Sequence, residues 1–172
     1  MLSIRRILVP VDFSGPSKVA LDYAARMATS FGATLQVLHV WDSPNYFAAG
    51  VGELTVSVPE GRTTLAQFVR TRAGKELEQL LSDIQRRSTV KVTGRLEMGD
   101  PCDGILKTAA NGHHDMIVMG THGRTGLSHL FLGSVAERVV RRAPCPVVTI
   151  RSGDVTRASG AADDAQPTEG AS

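Results

Sequence analysis

The sequence predicts a single α/β domain built on a doubly wound, five-stranded parallel sheet with helices on both faces. Five short apolar segments alternate along the chain with four segments whose apolar residues recur at helical spacing. The segment from Asp115 to Gly120 is continuously apolar in character, which is typical of a strand buried on both faces. Such alternation requires crossover connections, and these produce a parallel sheet that is covered on both sides.

Residues 4–97 contain three predicted strands and two predicted helices. Ile4 to Val11 is the first strand, Pro16 suits the first turn of the helix that follows, and Gly32 ends that helix. Thr34 to Val40, rich in Leu and Val, is the second strand. A capping box of Thr64 and Gln67 then opens a long amphipathic helix, and Val90 to Glu97 is the third strand.

The segment 43–62 shows no sustained periodicity, although it keeps several large apolar residues. Loops of this length in a small domain are usually functional lids, interface segments or disordered. We therefore interpret 43–62 as a long loop or a lid over a site.

The second half of the chain continues the alternation. Asp100 is predicted to be an N-cap and Pro101 the first residue of a short helix, and the strand 115–120 follows this helix. A further helix begins at Ser134, and Val147 to Ile150 is the last strand.

Length and composition indicate one globular domain over residues 1–151 and a disordered C-terminal tail over 152–172. The net charge of +2 is too small for a dedicated nucleic-acid surface or a polybasic membrane anchor. No apolar stretch approaches the ~18 residues of a membrane span, so a cytoplasmic protein is expected. Two cysteines, Cys102 and Cys145, are too few for a disulfide framework.

A glycine array joins the fourth strand to the last helix. Its pattern is Gly-x2-Gly-x9-Gly-Ser, formed by Gly120, Gly123, Gly133 and Ser134. Amides at the start of the helix, those of Gly133, Ser134 and Val135, are unpaired and attract anions, which predicts a phosphate-binding site. The alternative needs no ligand, because Ser134 and Glu137 have the spacing of a capping box.

Three further segments are expected beside this array. Pro10–Asp12, His39–Val40 and Met119–Gly120 each lie at the carboxyl end of a predicted strand. In doubly wound sheets these ends meet at one edge, and ligands bind there at the topological switch point.

The array matches neither the P-loop pattern nor the tight G-x-G of dinucleotide-binding folds. It resembles the ATP-binding branch of the universal stress protein family, whose hallmark G-x2-G-x9-G-[ST] is intact from Gly120 to Ser134. The resemblance covers about residues 3–151 and includes the segments 6–14, 38–40 and 144–148.

This resemblance implies strand order 3-2-1-4-5 and ATP, with Mg2+, as the ligand. Carried over by position, the nucleoside pocket is lined by Pro10, Val11, Asp12 and Val40. Ribose and phosphates are surrounded by Met119, Gly120, Gly123, Gly133, Ser134 and Val135.

Two charged residues have alternative roles. Asp12 would bond a ribose hydroxyl or approach a magnesium ion held mainly by the phosphates, or it is simply a helix-start residue. Arg124 is a cationic partner for phosphate, or a solvated loop residue. No direct protein metal site is expected.

The last strand should lie at an edge of the sheet, where an apolar strand is prone to pairing. Homodimerisation through Val147, Val148, Thr149 and Ile150 would cover it, and the resemblance points to the same interface.

Three functions follow from these observations. The first is a dimeric, ATP-binding regulatory protein of the stress response that signals to an unknown protein partner. The second is a slow Mg-dependent ATPase or nucleotidyl transferase, although no catalytic base is secure and little turnover is expected. The third is a nucleotide-free interaction module that uses 43–62 for docking. The preference among ATP, AMP and cyclic nucleotides stays open.

Overall fold

A parallel sheet forms the centre of the fold in the computed structural model, which describes residues 3–41, 54–59, 61–121 and 133–151. The elements in chain order are β1 (Arg6–Pro10), α1 (Gly15–Phe31), β2 (Thr34–Trp41), β3 (Thr55–Val58), β4 (Gly61–Thr64), α2 (Leu65–Arg87), β5 (Val92–Met98), α3 (Pro101–Asn111), β6 (Met116–Gly120), α4 (Ser134–Arg142) and β7 (Val147–Ile150). The parallel sheet has the order β5-β2-β1-β6-β7. The predicted fold class and strand order are therefore confirmed.

Each face of the sheet has its own apolar layer, because successive strand residues point to opposite sides. Ile7 and Val9 of β1 pack with α1 and α2 on one face. Leu8, between them, packs with α3 and α4 on the other face. All three side chains are fully buried. Within the described ranges, no helix has the length and apolarity needed to cross a bilayer.

Side-chain caps begin three of the four helices. Ser14 caps α1 and accepts a hydrogen bond from the Ser17 amide, and Asp100 caps α3 through the Asp103 amide. Thr64 caps α2 by accepting from the Gln67 amide at 3.1 Å. Gln67 does not complete the predicted capping box; its Oε1 accepts from the Thr63 hydroxyl instead.

The second half of the predicted loop 43–62 contains regular structure. Strands β3 and β4 pair antiparallel, with Val58 opposite Gly61, and the hairpin packs against α2. Local sequence did not indicate these strands because their outward residues are polar and the apolar alternation covers only Val56 and Val58. Residues 42–53, Glu60 and the tail 152–172 lie outside the described residues.

A buried histidine connects α3 to β6 and predicts acid sensitivity. His114 is 6 % exposed, and its Nδ1 lies 3.2 Å from the Thr108 carbonyl oxygen. Burial lowers the pKa of His114, and the nearby Arg6 charge acts in the same direction, although hydrogen bonds with Ala109 and Thr108 partly oppose them.

We expect the free energy of unfolding to fall as the pH is lowered below about 6.5, the ordinary histidine pKa. The unfolded chain binds the proton more readily than the folded chain, so this stability is present above that pH and is lost below it. For one group the slope reaches at most about 1.4 kcal/mol per pH unit. Urea unfolding between pH 7.5 and 5.5 should show a shallower slope for His114→Gln. An unchanged slope in that variant would contradict the prediction.

Candidate functional site

The crevice between β1 and β6 is the topological switch point of the sheet. From β1 the chain passes through α1 to β2 on one side, whereas β6 and β7 lie on the other side. In β1 and β6, Ile7 is level with Met116 and Leu8 with Ile117. Extending this register places Asp12 level with Thr121, so both residues lie at the carboxyl edge of the sheet, where such folds bind ligands.

The turn between β1 and α1 holds Asp12 in a fixed orientation. Asp12 Oδ1 accepts hydrogen bonds from the Ser14 amide at 3.1 Å and the Ser14 hydroxyl at 2.5 Å. The Asp12 amide donates to Ser17 Oγ at 3.3 Å, and that hydroxyl donates to the Ser14 carbonyl oxygen. Asp12 is thus part of the helix-start network.

The Asp12 carboxylate is anionic at neutral pH. Its partial burial raises the pKa, but the hydrogen bonds from the Ser14 and Ser17 side chains and from the Ser14 amide outweigh burial and lower the pKa below its usual value. A carboxylate that keeps its charge at the edge of the crevice suits contact with a hydroxyl donor or a hydrated cation.

Two residues to which the sequence assigned no specific role shape this turn, although His39 lies in one of the segments predicted to line the site. Phe13 has φ of 64°, a left-handed conformation that costs a bulky residue about 1–3 kcal/mol. Its ring lies against the His39 ring with centroids 4.2 Å apart. His39, on β2, is 8 % exposed, and its Nδ1 donates to the Val11 carbonyl oxygen at 2.7 Å. The sequence signal for His39 was a lone polar residue in an apolar strand, whereas nothing in Phe13 itself indicates a left-handed backbone.

Gly120 makes a close packing contact inside the protein. A Cβ atom at this position would lie 3.1 Å from both the carbonyl carbon and the carbonyl oxygen of Pro16, in the first turn of α1. The first glycine of the array therefore allows the end of β6 to approach the start of α1. After it, the buried Thr121 donates its amide to the Ile150 carbonyl oxygen and extends the contact with β7.

The N-terminus of α4 lies at the carboxyl end of β6. The Gly133 amide donates to the Thr121 carbonyl oxygen at 2.7 Å, which joins the start of α4 to the end of the strand. The prediction that this amide is unpaired is therefore wrong, because the end of β6 already accepts from it. Gly133 is the N-cap and makes no side-chain cap bond. The capping-box interpretation of Ser134 and Glu137 is wrong, because Ser134 is already the first helical residue. Its side chain is exposed, and the Glu137 amide bonds the Gly133 carbonyl oxygen instead.

The predicted apolar site residues divide between the two faces of the sheet. Met119, Val40 and Val135 contact the same apolar cluster beneath α3 and α4, where Val40 packs against the helix at Gly104. Val11 belongs to the opposite cluster, beneath α1 and α2, and Pro10 is buried at the end of β1. Gly123 and Arg124 lie outside the described residues.

Ion pairs hold α4 against the start of α3. Arg138 contacts both carboxylate oxygens of Asp100, at 3.1 and 3.4 Å, and Arg142 contacts Asp103 at 3.2 Å. The pKa of Asp100 is lowered, first by the Asp103 amide and then by Arg138. These exposed ion pairs bridge two helices whose buried side chains already pack in the same apolar cluster.

The fold and this edge define a doubly wound α/β protein in which the N-terminus of α4 has a glycine cap and no side-chain cap bond, an arrangement suited to anions at the switch point. The chain belongs to the universal stress protein family, whose family model, described as "Universal stress protein family", matches residues 3–151. A universal stress protein of Methanocaldococcus jannaschii, MJ0531, is 32 % identical over 148 residues, which are 86 % of this chain and 82 % of the relative.

Solved structures show the same fold. Universal stress protein UspA from Lactobacillus plantarum aligns with a TM-score of 0.68 and 25 % identity over 86 % of this chain and 97 % of its own. A universal stress protein from Archaeoglobus fulgidus, solved in complex with dAMP, aligns with a TM-score of 0.58 and 23 % identity over 87 % of this chain and 99 % of its own. At that identity the second likeness supports the fold alone.

Proposed function

We propose that this universal stress protein binds an adenine nucleotide, ATP with Mg2+, at the carboxyl edge of the sheet and acts as a regulatory module. The observation that carries the proposal is the N-terminus of α4. Of the four helices described, α4 alone begins without a side-chain cap, and its cap residue Gly133 is bonded to the end of β6. Backbone amides at such a helix start are suited to phosphate oxygens.

Asp12 supports the nucleoside half of the proposal. Ser14 bonds Oδ1 of Asp12 through its amide and its hydroxyl, and the carboxylate has a second oxygen, Oδ2. That oxygen suits a ribose hydroxyl or a water molecule of a magnesium ion. Mg2+, when bound with the phosphates, would offset their negative charge.

The chemistry of Asp12 favours signalling over hydrolysis. A general base works best when its pKa lies near the operating pH. Hydrogen bonds hold the pKa of Asp12 below that of an ordinary carboxylate, which makes it a poor proton acceptor. We therefore infer slow or negligible turnover, with nucleotide occupancy as the signal that a protein partner reads.

We also propose that the protein is a homodimer. Strand β7 pairs with β6 on one side and ends the parallel sheet on the other. Val147, Val148 and Thr149 are partly exposed along this edge. A second copy that pairs with β7 would satisfy its backbone groups and cover its apolar side chains.

Isothermal titration of the full chain with ATP, AMP and cyclic AMP, with and without Mg2+, tests the proposed function. We expect wild-type binding of ATP to strengthen with Mg2+. Asp12→Asn should weaken ATP binding about three- to tenfold, because one charge-assisted contact is lost.

Asp22→Asn is the matched control. Like Asp12→Asn, it removes one negative charge. Asp22 lies on α1, where it forms a surface ion pair with Arg87 away from the carboxyl edge of the sheet. Its ATP affinity should equal that of the wild type. If the wild type binds none of the three nucleotides, the nucleotide-binding proposal is wrong and the interaction-module hypothesis remains.

A further inference from the structure

Two aromatic side chains pack against each other beside the turn that carries Asp12 in the proposed nucleoside site. The His39 imidazole lies on β2, and the Phe13 ring belongs to the turn that follows β1; their centroids are 4.2 Å apart and their planes are inclined by 38°. The sequence placed His39 in a segment at the ligand-binding edge but assigned no role to either side chain. Both touch the chain segment that carries Asp12.

The hydrogen bond between His39 and the Val11 carbonyl oxygen has only one possible direction. Its Nδ1 lies 2.7 Å from the Val11 carbonyl oxygen, which accepts but cannot donate, so the proton is on Nδ1. The β1–β2 pairing extends to Pro10 opposite Leu38, and the Val11 amide donates to Leu38. The imidazole therefore bonds the backbone where the regular pairing between these strands ends.

Phe13 controls the other end of the same segment. Its positive φ reverses the chain between Asp12 and Ser14, and this reversal lets Ser14 bond Oδ1 of Asp12 through both its amide and its hydroxyl. A bulky side chain keeps such a backbone conformation only when its surroundings favour it. The contact with the His39 ring is part of those surroundings.

We propose that His39 and Phe13 are positioning residues for the nucleotide site. His39 fixes the Val11 carbonyl and the Phe13 ring, and through them sets the orientation of the Asp12 carboxylate toward the crevice. This inference rests on the proposed function, because its main readout is nucleotide affinity. In this arrangement His39 and Phe13 do not contact the ligand but hold the residues that do, as a precise binding geometry requires.

A set of histidine variants tests the proposal. His39→Leu removes the donor to Val11, and we expect it to weaken ATP binding about tenfold. His39→Asn keeps a side-chain NH donor at nearly the position of Nδ1, and its affinity should return to within about threefold of the wild type.

His114→Leu is a matched control for general destabilisation. His114 is also buried and also has Nδ1 beside a backbone carbonyl oxygen, but it lies in the α3–β6 connection, at the amino end of β6. We expect this variant to lose stability and to keep wild-type affinity. An equal loss of affinity in His39→Leu and His114→Leu, or no loss in His39→Leu, would overturn the positioning role.

Amide hydrogen exchange in the nucleotide-free protein separates this inference from the proposed function. The Ser14 amide, bonded to Asp12 Oδ1, should exchange about tenfold faster in His39→Leu and at the wild-type rate in His39→Asn and His114→Leu. Unchanged exchange in His39→Leu overturns the inference whatever the affinity. A wild type that binds no nucleotide refutes the proposed function and the effect on affinity, while exchange still decides whether the pair fixes the turn.

Discussion

Replacing Gly133 by glutamate is expected to abolish nucleotide binding while the protein remains folded. Gly133 has φ of −59° and ψ of 150°, values that other residues adopt without strain. A carboxylate at the start of α4 is compatible with the helix dipole, so the fold should tolerate it. The same carboxylate would face the phosphates. Because juxtaposed like charges cost several kcal/mol, we expect the affinity for ATP to fall at least about 100-fold.

Gly133→Gln is the control for the size of the side chain. Glutamine nearly matches the volume of glutamate and carries no charge. Its affinity for ATP should fall less than about tenfold. Titration calorimetry gives both affinities, and circular dichroism establishes that each variant is folded. Equal losses in the two variants would mean that the size of the side chain, not its charge, blocks the site. If Gly133→Glu binds ATP as tightly as the wild type, the phosphates do not bind at the start of α4.

Replacing Gly120 by alanine is expected to destabilise the fold by about 1–3 kcal/mol, the usual range for an overpacked core. Gly120 is not among the glycines with positive φ, so the effect comes from the added methyl group. That group would lie 3.1 Å from two backbone atoms of Pro16, and backbone cannot rotate away as a side chain can. Relief requires β6 and α1 to separate, which would also displace the turn that holds Asp12.

Gly74→Ala provides the comparison for Gly120→Ala. Gly74 lies inside α2, and a Cβ atom there would make an ordinary contact with Leu96 Cδ1 at 3.7 Å. Because alanine is the better helix former, the free energy of unfolding should rise by about 0.5–1 kcal/mol. Urea denaturation measures both variants. A Gly120→Ala protein as stable as the wild type would show that α1 adjusts freely to β6.

Local chemistry predicted most of the helix boundaries. Gly32 ends α1 with φ of 65°, a conformation that glycine adopts without penalty, and Thr64 and Asp100 cap the helices that follow them. The buried strands were equally clear, since Ile7, Leu8 and Val9 are apolar on both faces. These features depend on near neighbours in sequence, which is why the sequence alone was sufficient.

The N-terminus of α4 could not be predicted in the same way. By local preference Ser134 is the better N-cap, and Glu137 completes the pattern. The observed cap is Gly133, whose amide is bound by the Thr121 carbonyl oxygen. That hydrogen bond joins residues that are not neighbours in sequence, and it determines that Gly133, not Ser134, is the N-cap. The left-handed Phe13 is similar, because its neighbour His39 comes from another strand.

The bond from Gly133 to Thr121 also has a mechanical consequence. It ties the start of α4 directly to the end of β6, although the two residues are twelve positions apart in sequence. A displacement of the strand end would therefore shift the first amides of α4 as well. The position of the proposed phosphate site is in this way coupled to the packing of the sheet.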